Sequence, residues 1–145
     1  MSQFIDSVRQ DIARYGCSVI SISDEEPPFA YTVGLWQTQR HPELIIFGLP
    51  QQVMANILNA VVTKMKNSAT RELPRSHQDI GGSYGIQVMA ANKAHLDRYF
   101  GFALGFYEER FPIAQIVWPD REGRFPGDPD YDKSYEDLQP ILKPA

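Results

Sequence analysis

Phe29-Ala-Tyr-Thr-Val-Gly-Leu35 and, after a polar connection, Leu44-Ile-Ile-Phe-Gly-Leu49 decide the fold. Successive residues of a strand point to opposite sides, so Phe29, Tyr31, Val33 and Leu35 share one face of the first run, and Ala30, Thr32 and Gly34 share the other. One face is bulky and the other nearly bare. A bare face admits close approach by a packed helix or by a ligand, and core packing is the commoner use. The second run is apolar without alternation, as in a strand covered on both faces, which places it centrally in a sheet. Upstream, Cys17–Ser23 is short and β-branched, and Asp24–Pro28 reads as a turn. Residues 17–49 therefore read as an antiparallel meander of three strands.

Working outward, Phe4, Val8 and Ile12 form a helical stripe over residues 2–15, and Gly16 supplies a stop. Pro50 suits a first helical turn, and Met54, Leu58, Val61, Val62 and Met65 recur at helical spacing through 51–66. Residues 67–83 read as a long polar loop, a lid or a mobile segment. Tyr84–Ala91 reads as a strand, Asn92 as an N-cap, and Leu96 to Tyr107 as a third helix ending near Arg110. Ala114–Trp118 gives a last strand. From Pro119 onward periodicity gives way to prolines and acids, an irregular tail anchored by Phe125, Tyr131, Leu138, Ile141 and Leu142. The expected fold is a single α+β domain over residues 1–145, with mixed α/β as the alternative. It comprises the meander, two further strands and about three covering helices, with residues 1–118 as core and 119–145 as a wrapping Pro-rich tail.

Composition narrows the class. The 145 residues, 43% of them hydrophobic, suffice for a core with no disulfide or metal staple. The net charge of −4 is concentrated in the tail, and neither part carries a basic cluster, which argues against a nucleic-acid binder. One cysteine, Cys17, allows no internal disulfide, and the acid-bearing start is neither a signal peptide nor a membrane span. A cytoplasmic protein without membrane attachment is expected.

The candidate chemistry is sparse. His41 and Glu43 place an imidazole and a carboxylate just before the central strand, as catalytic groups or as caps of the 36–43 connection. Asp120 and Glu122 are a possible acid and base pair, but Arg121 and Arg124 beside them favour ionised carboxylates, and a turn would hold Asp120 equally well. His41, His77 and His95 lack metal-ligand spacing, so no metal and no cofactor is predicted. Cys17 is a nucleophile only if it escapes the usual burial of such a residue. Gly81-Gly82-Ser83-Tyr84-Gly85 precedes a strand and lacks a phosphate-loop lysine, so it reads as a turn. Phe102 and Phe106, spaced i, i+4 on a flank of the third helix, are candidates for a partner or homodimer surface. Gly101 and Gly105 each cost a helix about 1 kcal/mol, so close packing against them is expected.

FAYTVGL (29–35), HPEL (41–44) with IIFGL (45–49), VWPDREGRFPGD (117–128) and QPIL (139–142) together resemble the bacterial family of domain-of-unknown-function proteins numbered 4262. The resemblance spans nearly the whole chain. It implies a small, stand-alone bacterial protein with no assigned activity, and it transfers no catalytic residues. The leading functional reading is a module that binds a small molecule or another protein, with Ala30, Tyr31, Thr32, Gly34, Trp118 and Arg124 as ligand-binding candidates. An enzyme gathering Tyr31, Thr32, His41, Glu43, Trp118, Asp120 and Arg124 is the alternative. A flavin or nucleotide binder using the bare strand face is the second.

Overall fold

The computed structural model describes residues 2–67 and 72–144, with backbone alone at Ser2. Helix α1 (Ser2–Tyr15) leads into strands β1 (Ser18–Ile22) and β2 (Phe29–Val33), a short helix α2 (Leu35–Gln39) and strand β3 (Glu43–Phe47). Helix α3 (Gln51–Lys66), strands β4 (Arg75–His77) and β5 (Ile86–Ala91), helices α4 (Leu96–Tyr99) and α5 (Gly101–Tyr107) and strand β6 (Ile113–Val117) follow. The strands form one mixed sheet in the order β1-β2-β3-β6-β5-β4. Among the described residues only the β3–β6 pair is parallel, with Glu43 opposite Ile113. The domain is α+β, and β3 is buried along its whole length, as its unbroken apolar run requires.

Helix α3 covers one face. Its Met54, Leu58, Val61 and Met65 pack with Ala30, Leu44, Ile46, Ala114 and Ile116, so the bare face of β2 is filled by a helix. The opposite face carries Phe29, Tyr31 and Val33 of the bulky parity set, under Val8 and Ile12 of α1 and Phe100 and Ala103 near and on α5; Leu35, expected with them, instead opens α2 and packs in the α3 cluster, because the strand ends at Val33. Burying each large side chain is worth about 1.5–3 kcal/mol, and two such faces account for a sheet that needs no covalent staple.

Three expectations change. The 67–83 stretch contains β4, paired antiparallel with β5 through Arg75↔Val88 and His77↔Ile86; residues 68–71 of it lie outside the described residues. The third helix is two: Phe100 leaves helical geometry with ψ 39°, because its fully buried ring seats against Tyr31 with centroids 4.6 Å apart just before Gly101, where helices bend readily. Beyond the adjacent residues and the helix's own backbone, nothing described comes within 4 Å of a methyl group placed at Gly101 or Gly105, so the expected close packing on that ridge is absent among the described residues.

In the tail Leu138 and Ile141, expected as anchors, stay exposed, while Tyr131, Gln139 and Leu142 are buried. Side-chain amides dock it. Gln139 accepts from Trp118 N at 2.8 Å and donates to Trp118 O at 3.0 Å, and Gln115 donates to Pro140 O and accepts from Leu142 N. A methyl at Gly48, whose φ is +80°, would meet the Leu138 carbonyl oxygen at 2.2 Å, so the tail crosses directly over that glycine.

Candidate functional site

The titratable pair before β3 divides into two roles. Glu43 is fully buried, and its two oxygens accept five donors. Thr32 Oγ1 (2.8 Å) and Leu35 N (3.2 Å) reach Oε1, while Gly34 N (3.0 Å), Trp36 N (3.1 Å) and Tyr107 Oη (2.5 Å) reach Oε2. The carboxylate thus satisfies the amides at the start of α2, which are otherwise orphaned. Burial pushes the Glu43 carboxyl up, and the Tyr107 and Trp36 donors oppose that push. Tyr107, itself accepting from Gly34 N, ties α5 to the same turn. With every lone pair engaged, Glu43 is a structural staple.

His41 is also fully buried but faces elsewhere. Its Nδ1 lies 2.8 Å from the Pro42 carbonyl and its Nε2 lies 3.0 Å from Arg75 Nη1. A guanidinium only donates, so Nε2 accepts and the proton sits on Nδ1. Arg75 Nε donates in the same sense to His77 Nε2 at 3.2 Å. Burial, then the Arg75 charge, lowers the His77 pKa, leaving a neutral ring with its proton on Nδ1. Period-two alternation puts Arg75 and His77 on the α3 side of the sheet, beside Val88 and Ile86.

Asp120 is the second organiser. It accepts from the amides of Glu122, Arg124 and Asp132, each at 2.9 Å, and from Arg124 Nε at 3.1 Å. Burial works against its charge, but the Arg124 and Asp132 amides prevail and hold the carboxyl down to about 2. Asp120 therefore shapes the 120–132 turns. Trp118 donates its indole N–H to Phe47 O at 2.8 Å, holding the ends of β3 and β6 together.

The enzyme constellation does not gather. β3 and β6 are neighbours, but because they run parallel, Glu43 and His41 lie at one end of the sheet and Trp118, Asp120 and Arg124 at the other, roughly 16 Å away at strand rise. Tyr31 lies on the opposite face from Ala30 and Thr32, against Phe100. Ala30 and Thr32 are completely buried on the α3 side, and Gly34 lies against Ile12 and Cys17. Burial raises the Cys17 thiol to about 12, which leaves it an inert core residue. Among the described residues no group of three or more His, Cys, Asp or Glu could hold a metal. No described helix is long and apolar enough to cross a membrane.

Two adjoining clefts open along the outer edge of α3. A cleft of about 910 Å³ runs between the second half of α3 and β4, lined by Asn59, Thr63, Lys64, Arg75, Ser76, His77 and Asp79. A second, of about 630 Å³, continues it toward Trp118 and Arg121, past Val53, Ile57, Gly81 and Tyr84. Both share Ala60, Asp79 and Ile80 as walls, so they form one trough. Sequence reading missed most of it because its polar residues belong to the solvent side of an amphipathic helix and to a polar loop, where no spacing marks them. The signals the sequence does carry are the 67–83 stretch, Trp118 and Asp120, which line the trough, and His41, which reaches it through Arg75.

No curated protein and no solved structure matches the chain. A family model described as Domain of unknown function (DUF4262) matches residues 11–132, from the middle of α1 to the end of the Asp120 turns, and the chain belongs to that family.

Proposed function

We propose that the chain is a small-molecule-binding module that takes an anionic ligand in the cleft between α3 and β4. The carrying observation is a run of donor side chains: Lys64, Ser76 and His77 line the cleft, with the Arg75 charge beside them. The carboxylate there, Asp79, is already paired with Lys64 at 2.6 Å, which lowers its pKa. Arg75 is held from behind by His41 and His77, so its position is set before any ligand arrives. The volume lies within the usual range of ligand sites, about 300–1,000 Å³.

Thermal unfolding in inorganic phosphate against chloride at matched ionic strength tests this. Phosphate should raise Tm in the wild type, and Lys64→Ala and Ser76→Ala should each reduce that rise. Salt exclusion from the surface acts on all three proteins alike, so the difference between them carries the reading. Equal rises in wild type and variants would refute it.

A second reading, a homodimer through the flank of α5, has its own observation. Phe102 and Phe106 stack at 6.0 Å, half-buried, with Phe4 edge-on to Phe102, beside the open ridge at Gly101 and Gly105. Light scattering on the wild type and on Phe102→Ser with Phe106→Ser decides it: a concentration-dependent dimer lost in the variant supports it, and a monomer throughout removes it.

A further inference from the structure

We propose that the trough takes a nucleoside 5′-monophosphate, or another phosphomonoester carrying a planar heteroaromatic ring; this rests on the anionic-ligand reading above. Its two halves differ in chemistry. The donor-rich half suits a phosphate, whose oxygens only accept. The other half is apolar and aromatic, walled by Leu49, Val53, Ile57, Trp118 and Tyr84. Tyr84 is 48% exposed and Val53 41%, so large apolar surface stands open at this rim.

Tyr84 is a braced ring. A methyl at Gly123, whose φ is +82°, would come within 2.5 Å of it, so the WPDREGRFP turn (118–126) lies flush against the phenol and backs it. Asp120, through its bonds to the amides of Glu122 and Arg124, fixes that turn. The most distinctive motif in the chain therefore supports an exposed aromatic surface of the kind on which heteroaromatic rings stack.

The spacing fits one ligand. The residues of α3 that line the two halves are centred about 9 Å apart along the helix at a rise of about 1.5 Å per residue, comparable to the reach from a nucleobase to its 5′-phosphate. Between them the wall is Ala60, whose methyl obstructs little, and Asp79, an acceptor where the sugar hydroxyls would cross.

Isothermal titration with AMP, adenosine and inorganic phosphate tests the proposal on the full chain. AMP should bind tighter than either fragment. Tyr84→Ala should weaken AMP by about fivefold or more while leaving phosphate unchanged, and Tyr84→Phe should retain AMP binding. Phosphate binding with AMP no tighter, or AMP binding indifferent to Tyr84→Ala, overturns the ring subsite and leaves the anion reading standing. No binding of phosphate or AMP overturns both.

Discussion

Glu43→Gln isolates the buried carboxylate with almost no change of shape. In the folded chain Oε1 accepts two donors and Oε2 accepts three. The amide nitrogen of Gln must take one of these places, where it donates instead of accepting. Placed at Oε1 it strands the Thr32 hydroxyl and the Leu35 N–H; placed at Oε2 it strands the Trp36 amide and the Tyr107 hydroxyl, while the Gly34 amide keeps Tyr107 Oη as its acceptor. Two donors lose their acceptor in either orientation. Each costs about 1–3 kcal/mol, so the variant should lose about 2–6 kcal/mol of a total near 5–15 kcal/mol. Urea unfolding reads this directly as a midpoint lowered by about 1 M or more with an unchanged m-value. A loss below about 0.5 kcal/mol would refute the assignment of Glu43 as the staple of the α2 turn.

Asp120→Asn tests the second staple by pH. The Asp120 carboxyl is lowered from 3.8 to about 2 in the folded chain, so its contribution is complete above pH 3.8 and is lost as pH falls through about 2. The stability gap between wild type and Asp120→Asn should therefore close as pH falls from 4 toward 2; a gap that stays constant over this range contradicts the turn assignment. Gly48→Ala places a methyl 2.2 Å from the Leu138 carbonyl at a φ of +80°. It should cost at least about 2 kcal/mol and hasten proteolysis within the tail, and a wild-type melt would refute the crossing. With its thiol raised to about 12, Cys17 is thiolate in on the order of one molecule in ten thousand at pH 8, so it should react with a disulfide reagent only after unfolding. Prompt reaction of the native protein would contradict its burial.

The elements with strong periodicity were legible in the sequence: α1, the meander, α3 and β6 stand where the apolar patterns put them. β4 was not, because a three-residue Arg-Ser-His edge strand has no apolar alternation and is held by pairing with β5. The break before α5 follows from tertiary seating of Phe100 on Tyr31, which no local pattern announces. At the level of the site, His41, Glu43 and Asp120 attracted attention as titratable groups in connections, and each turns out to be engaged in positioning backbone or Arg75. Scaffolding carboxylates and catalytic ones share residue type and loop placement; only the number and direction of their donors separates them. The trough along α3 draws its residues from three separate segments, so its chemistry emerges only once the chain is folded.

The most direct test of the central claim is the map of backbone amide chemical shifts during a titration of the ¹⁵N-labelled protein with inorganic phosphate. Saturating shifts are expected at Thr63, Lys64, Ser76, His77 and their immediate neighbours and nowhere else. Shifts centred instead on the Gly34–Trp36 amides around Glu43, or on the flank of Phe102 and Phe106, would contradict it.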